Sequence, residues 1–387
     1  MLKTLIGYTA EIDDDRQAVE QIKSQLGLET NLLKNSIGII ACHYEFIFSG
    51  IVKAVCDALP FDVVGTISTS QAVEGQADAL LLTIMVMTSD DVEFTSVITP
   101  SLQGEPGKAI AQSYREAASA RQEKPALILA FAPFMPQNSG DEYVNTITEA
   151  SNGVPCFGTL AIDDTEDFSS TFMIANGEHY TDKMVMVLCY GSITPKFFIA
   201  NISPDWVLDQ SAIITKSAGH VIMEVNGKTV DQFFEDLGIA KVAETLYAMT
   251  SLPFLIDYND GTPKVSKVFV SFTPERYALC AGATPEGSTL YMAKSDKEGV
   301  LQTTEQTVDQ MLQEVQGASG ALIYSCITRS MALGSDQYGE MALVDNKTQG
   351  KLPFMMVCSG GEICPTQIAS NKAINRFHNN TFVACVF

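Results

Sequence analysis

The stretch Ala321–Arg329, ALIYSCITR, decides how the chain is read. A short uncharged run leads into Cys326-Ile327-Thr328-Arg329, the pattern of a buried strand whose tip carries a thiol and a guanidinium. The stretch Pro353–Glu362, PFMMVCSGGE, repeats that design with Cys358-Ser359-Gly360-Gly361-Glu362 at its end. The chain then closes with His378-Asn379-Asn380-Thr381 before the apolar run Phe382–Phe387. In layered α/β structures, strands that end this way open into a pocket at their tips. Two such neighbours would gather a thiol, a guanidinium and a carboxylate, a set suited to a polar small molecule.

Composition bounds the partners. With 46% hydrophobic and 18% charged residues the chain can fill real cores, and 387 residues favour two domains over one. The formal charge of -22, from 46 acidic against 24 basic residues, repels nucleic-acid backbones and anionic membranes. The start, MLKTLIGYTAEIDDD, lacks the basic and apolar regions of a signal peptide. The longest apolar stretch, Ala79–Met87, falls far short of the roughly 20 residues that cross a bilayer. No nucleic acid and no membrane is therefore expected, and a cytoplasmic location is. The nine cysteines show no C-x-x-C pair and lie mostly inside apolar runs, as in Leu188-Cys189-Tyr190 and Ala384-Cys385-Val386. They read as buried, reduced thiols, not as a zinc site or a disulfide framework.

Periodicity predicts an α+β protein of two domains, 1–220 and 221–387, with mixed sheets covered by helices. Strands are expected at Phe61–Val64, Ala79–Met87, Ala126–Phe131, Val154–Phe157, Phe168–Ile174, Met184–Cys189, Lys196–Ile199 and Val221–Val225. Helices are expected after a Ser49 cap, around Lys108–Arg121, after a Thr229 cap, and at Thr304–Gln316, where Val308, Met311, Leu312 and Val315 share a face. No short repeat is visible. The seam is placed near Gly219–Val221.

Several stretches, in order, resemble the FIST family of bacterial and archaeal sensory domains. They are Pro125–Phe131, Gly153–Gly158, Asp163-Asp164, Ile213–Lys216 and Val221–Lys228 in the N-terminal part. In the C-terminal part they are Cys326-x-x-Arg329, Gly361-Glu362 and Asn380-Thr381. The resemblance implies an intracellular module that binds a small ligand, such as an amino acid or derivative, and reports it. It extends to haem-dependent gas sensors. The length leaves no room for a kinase, cyclase or methyl-accepting output domain, so the signal is expected to pass to a separate signalling protein such as a kinase or cyclase.

The candidate site residues are Cys326, Arg329, Gly360, Gly361 and Glu362. Arg329 can grip a carboxylate through two parallel hydrogen bonds, or pair with Glu362 or Glu340. Glu362 can accept from an ammonium group, and Gly360-Gly361 can bring backbone amides against a ligand. Cys326 becomes a nucleophile, and the protein a thiol-dependent hydrolase or transferase, only if His378 or His43 lies beside it. No catalytic residue and no metal ligand is assigned. No cofactor is expected, with haem on His378 as the alternative. The hydroxyl run Gly65–Ser70 reads as a polar contact surface or as a cap, and it lacks the ending of a P-loop.

Overall fold

Six strands of one repeat explain most of the molecule. In the computed structural model, which describes residues 2–135, 137–165, 170–239, 251–369 and 372–387, the first repeat holds β1 Leu2–Thr9, β2 Asn35–Cys42, β3 Val63–Ile67, β4 Gln71–Val73, β5 Gln76–Asp78 and β6 Leu82–Ser89. The second holds β7 Val92–Ile98, β8 Leu127–Ala132, β9 Cys156–Leu160, β10 Met173–Ala175, β11 Glu178–Tyr180 and β12 Val185–Gly191. The third begins with β13 Lys196–Ala200. It is then interrupted by an inserted antiparallel sheet: β14 Val207–Ala218, β15 Val221–Val225, β16 Lys228–Thr229, β17 Phe254–Asp257, β18 Val265–Lys267, β19 Phe269–Phe272, β20 Ala278–Cys280 and β21 Thr289–Ala293. It resumes with β22 Ala321–Cys326, β23 Phe354–Ser359, β24 Glu362–Ala369, β25 Lys372–His378 and β26 Phe382–Val386.

The three main sheets have one pairing order: β1-β6-β2-β3-β10-β11, β7-β12-β8-β9-β24-β25, and β13-β26-β22-β23-β4-β5. In each, the central pair (β2/β3, β8/β9, β22/β23) is parallel and the other pairs are antiparallel. Each repeat gives its fourth and fifth strands, a hairpin, to the sheet of another repeat, and the three exchanges close a cycle. This long repeat is hard to see in the sequence because little beyond its hydrophobic pattern and a Gly-Thr pair in two of the three third strands (Gly65-Thr66 and Gly158-Thr159) recurs.

Mixed sheets with helices outside make the α+β class. One apolar cluster draws on all three repeats, with Ile39 and Val86, Leu129 and Phe157, and Tyr324 and Val357 among its members. Further clusters lie under the outer helices Pro106–Ser119 and Gly140–Ser151, and under Lys297–Glu314 and Gly339–Thr348. Parallel central strands buried on both faces need continuous apolar sequence, and β8 (LILAFA) and β22 (ALIYSC) supply it.

The boundary at 220/221 does not separate two bodies. It falls in the β14–β15 hairpin of the inserted sheet, while β4 pairs with β23 and β24 with β9 across it. The second structural body is the insert itself, seated by a buried ion pair from Lys267 Nζ to Asp141 Oδ2 at 2.8 Å. Local chemistry was read correctly at Thr229, whose hydroxyl and Gln232 form a capping box. Ser49 does not cap: Gly50 takes the N-cap position of helix Ile51–Asp57, and the Ser49 hydroxyl donates to Phe46 O. The expected strand Phe61–Val64 starts later and runs on to Ile67. Of the expected strand Phe168–Ile174, residues 168–169 lie outside the described set, and β10 begins at Met173. Among the described residues, no helix is long and apolar enough to cross a membrane.

Candidate functional site

The tip of β22 turns directly into the helix Ile327–Leu333, with Cys326 at its N-cap position. This places Arg329 inside a helix instead of beyond a strand. Arg329 is 1% exposed. Its Nε and Nη2 donate to Glu340 Oε1 at 2.9 and 2.7 Å, and Nη2 also donates to Val300 O and Thr304 Oγ1. Thr304 and Ser325 donate their hydroxyls to the same carboxylate. Arg329 is therefore a buried structural cation locking three elements of the third repeat. It lines a slot of about 10 Å³ beside Trp206, Asp296 and Asn380.

Gly360 and Gly361 serve the close approach of two sheets. A Cβ on Gly360 would stand 2.6 Å from Ala161 O, and one on Gly361 (φ 147) 2.2 Å from the Phe377 ring. Their amides are occupied: Gly360 N donates to Leu160 O and Gly361 N to Ser359 Oγ. The expected cradle of free glycine amides is thus absent, because these groups hold β9 against the β23–β24 corner.

Glu362 is fully buried. Thr381 Oγ1 donates to its Oε2 at 2.7 Å, and Oε1 has no hydrogen-bond partner among the described residues. Its polar neighbours include Ser359 and Cys326. Burial pushes the carboxyl up to about 8, so near neutrality it is mostly protonated. The Cys326 thiol is driven well above its ordinary range, first by burial and then by Glu362. Such a thiol is not poised as a nucleophile. His378 Nε2 meets Cys364 O at 3.2 Å and His43 Nε2 meets Asp164 Oδ2 at 3.4 Å, so neither hydrogen-bonds to Cys326. Burial, then Lys267, pushes His378 down to about 3. In the run Gly65–Ser70, Ser68 Oγ donates to Cys358 O at 2.7 Å, tying the first repeat to the third.

Cys326 and Gly360 share a cavity of about 40 Å³, one that Arg329 does not line. The second repeat contributes Phe134 and Ile162, the insert Val268, Val270 and Ala281, and the third repeat also Ile327, Thr328, Met331 and Asn379. Most of this wall is apolar. Asn379 is 1% exposed, and its Oδ1 has no hydrogen-bond partner among the described residues. A buried unpaired acceptor is costly unless something donates to it. Sequence reading missed Asn379: the Asn379-Asn380 pair signals a turn, and Asn380 does turn at φ 54, but nothing local reveals that its neighbour faces a cavity. No histidine lines this cavity or the Arg329 slot.

Comparison with known proteins gives the family and little more. The crystal structure of a cyanuric acid hydrolase from A. caulinodans is 9% identical over 100% of this chain and 99% of its own, with a TM-score of 0.37. That of phosphoribosylformylglycinamidine synthase II from Thermotoga maritima is 9% identical, over 100% of this chain and 72% of its own, with a TM-score of 0.21. No curated protein matches the chain. The FIST N domain model matches residues 36–228 and the FIST C domain model residues 231–365. FIST domains are associated with small-ligand sensing in signalling. With both domain models matched in order over most of its length, this chain belongs to the FIST family.

Proposed function

We propose that the protein is a small-molecule sensor whose ligand occupies the cavity between Cys326, Asn379, Ile162 and Val270. The observation that carries this reading is Asn379, a buried amide whose Oδ1 is unpartnered among the described residues, set among mostly apolar lining residues where two repeats and the insert meet. A ligand there touches all three parts at once, so it favours whichever packing fits it better. At about 40 Å³ the space equals about three water-sized volumes, so the ligand is compact. It carries an N–H or O–H donor for Asn379. Because Arg329 is committed to Glu340, a free carboxylate has no cation in this cavity. Among amino-acid derivatives the favoured ones are therefore amines and amides that lack that carboxylate. The occupied state is reported to a separate signalling protein, such as a kinase or cyclase.

The test is a thermal-shift screen against small amides, amines, alcohols, amino acids and carboxylates, repeated with Ala281→Phe, which fills the cavity from the insert side. Ligand at 100 times its dissociation constant adds about 2.7 kcal/mol of stability. A hit lost in the folded Ala281→Phe protein supports the site. A hit that survives the substitution places the ligand elsewhere, and silence across the panel removes the compact-donor ligand.

A further inference from the structure

Phe48 is the most exposed large hydrophobic among the described residues, at 66%, and the others so exposed are aliphatic. It ends the short helix Glu45–Phe48 and does not stand alone. Its ring meets Phe172 edge-on at 5.7 Å and lies 6.1 Å from Tyr44 and 6.4 Å from His179. Phe172 in turn meets His179 edge-on at 5.2 Å. Strand β2 of the first repeat leads into one half of this aromatic face, and the hairpin of the second repeat brings the other.

Acidic groups rim the face. Asp164 is 56% exposed at its side chain, and Glu45 and Glu178 are exposed. The Tyr44 hydroxyl is pushed up by Asp164 first, then by desolvation, Glu45 and Asp163, so the local field is negative. The nearby cation Lys53 is held by Asp57 at 3.0 Å. Lys183 sits over the Tyr180 ring at 4.2 Å, so an ammonium already stacks on a ring of the same hairpin.

The face also lies close in the chain to the cavity lining. Ile162 and Phe134 line the cavity. Beside them, Asp163 Oδ2 accepts from Ser170 N at 2.6 Å and Thr171 Oγ1 donates to Phe134 O at 3.3 Å. The next residue is Phe172, whose carbonyl accepts from Ile67 N. Thr171, hydrogen-bonded to the cavity-lining Phe134, thus immediately precedes Phe172 of the aromatic face.

We infer that this face is the docking surface through which the protein reports, and that its occupant is a basic segment of a separate protein carrying a large apolar side chain. Carboxylates around the exposed Phe48 ring, which rests on the buried Phe172, complement cations beside an apolar anchor. The purpose of the contact rests on the sensor reading; its existence does not.

Fluorescence anisotropy with a labelled short peptide of alternating Arg and Leu, added to the full chain, tests the docking. The same peptide with Glu for Arg is the control. The Arg-Leu peptide binds, the Glu-Leu peptide does not, and Phe48→Ser weakens binding about tenfold, as expected for loss of one central anchor. Phe48 is mostly exposed, so the variant keeps the wild-type melting temperature. No binding of the Arg-Leu peptide, or equal affinity for wild type and Phe48→Ser, overturns the proposal, the latter leaving only general attraction to an acidic protein. Self-association abolished by Phe48→Ser also overturns it, because the occupant is then a second copy. The ligand screen and the peptide test fail independently of each other.

Discussion

The first two repeats and the third share a backbone plan but not a chemistry. At the tip of the second strand, Ala41 pairs with Thr66 and Phe131 with Thr159, while Cys326 pairs with Ser359. The exchanged strand places Met173 opposite Thr66 in the first sheet, but Glu362 opposite Thr159 in the second. The fold is built without difficulty around Ala, Phe and Met at these places. A buried thiol beside a buried carboxyl is therefore not required by the architecture, and an isolated carboxyl in a core costs stability. Local choices that oppose stability cluster at functional sites. Under the proposed function, this difference marks the third repeat as the one adapted for ligand binding, and the cavity lies at that tip.

A second difference lies one residue earlier along the third strands. Gly65 and Gly158 approach the neighbouring strand so closely that an added Cβ would stand 1.8 Å from Ile40 O and Ala130 O. The third repeat carries Cys358 there, paired with Ser325. The sharpest way to break the comparison is thus Gly158→Ala, which costs about 4 kcal/mol or more, against about 1 kcal/mol for Cys358→Ala. Chemical denaturation of both variants checks this, and equal losses would show that the third strands are not equivalent.

Next in size is the ion pair found inside the third repeat. Arg329→Ala strands Glu340 without its cation and costs about 3–5 kcal/mol. In the first repeat Lys53→Ala, which removes an exposed, solvent-screened pair with Asp57, leaves the midpoint nearly unchanged. Denaturant midpoints would measure both. A small loss for Arg329→Ala would mean that water or a neighbouring cation takes its place.

The pH-dependent effect is the most diagnostic. Glu362 has its folded carboxyl raised from an ordinary value near 4.5 to about 8. Between those values the folded state holds a proton that the unfolded state releases, so stability falls as pH rises through this window. Glu362→Gln removes the penalty. Its melting temperature matches wild type near pH 4.5 and exceeds it by a growing margin of a few degrees toward pH 8. A margin independent of pH would mean that Glu362 is ionised in the fold.

Much of the plan was legible in the chain. Uninterrupted apolar runs such as Ala126–Phe131 and Ala321–Ser325 could only be buried strands, and the Thr229 cap and the apolar face through Val308 and Met311 marked helices. Cys326, Gly360 and Glu362 stood out as polar or small residues at the ends of apolar runs; Cys326 and Gly360 line the cavity, and Glu362 is buried without lining it. Arg329 stood out as well, and of its two readings the geometry has the pairing with Glu340, eleven positions on and brought near by helix packing. Asn379 and the insert's Val268, Val270 and Ala281 carried no local signal, since each looks like ordinary turn or core sequence.

The sequence by itself determined which segments are strands and helices, because burial pattern and capping act over a few residues. Tertiary structure alone decided the hairpin exchange, the pairing of Arg329 and the cavity beside Asn379. Those depend on contacts between residues up to hundreds of positions apart, such as Ser68 with Cys358, and no local periodicity encodes them.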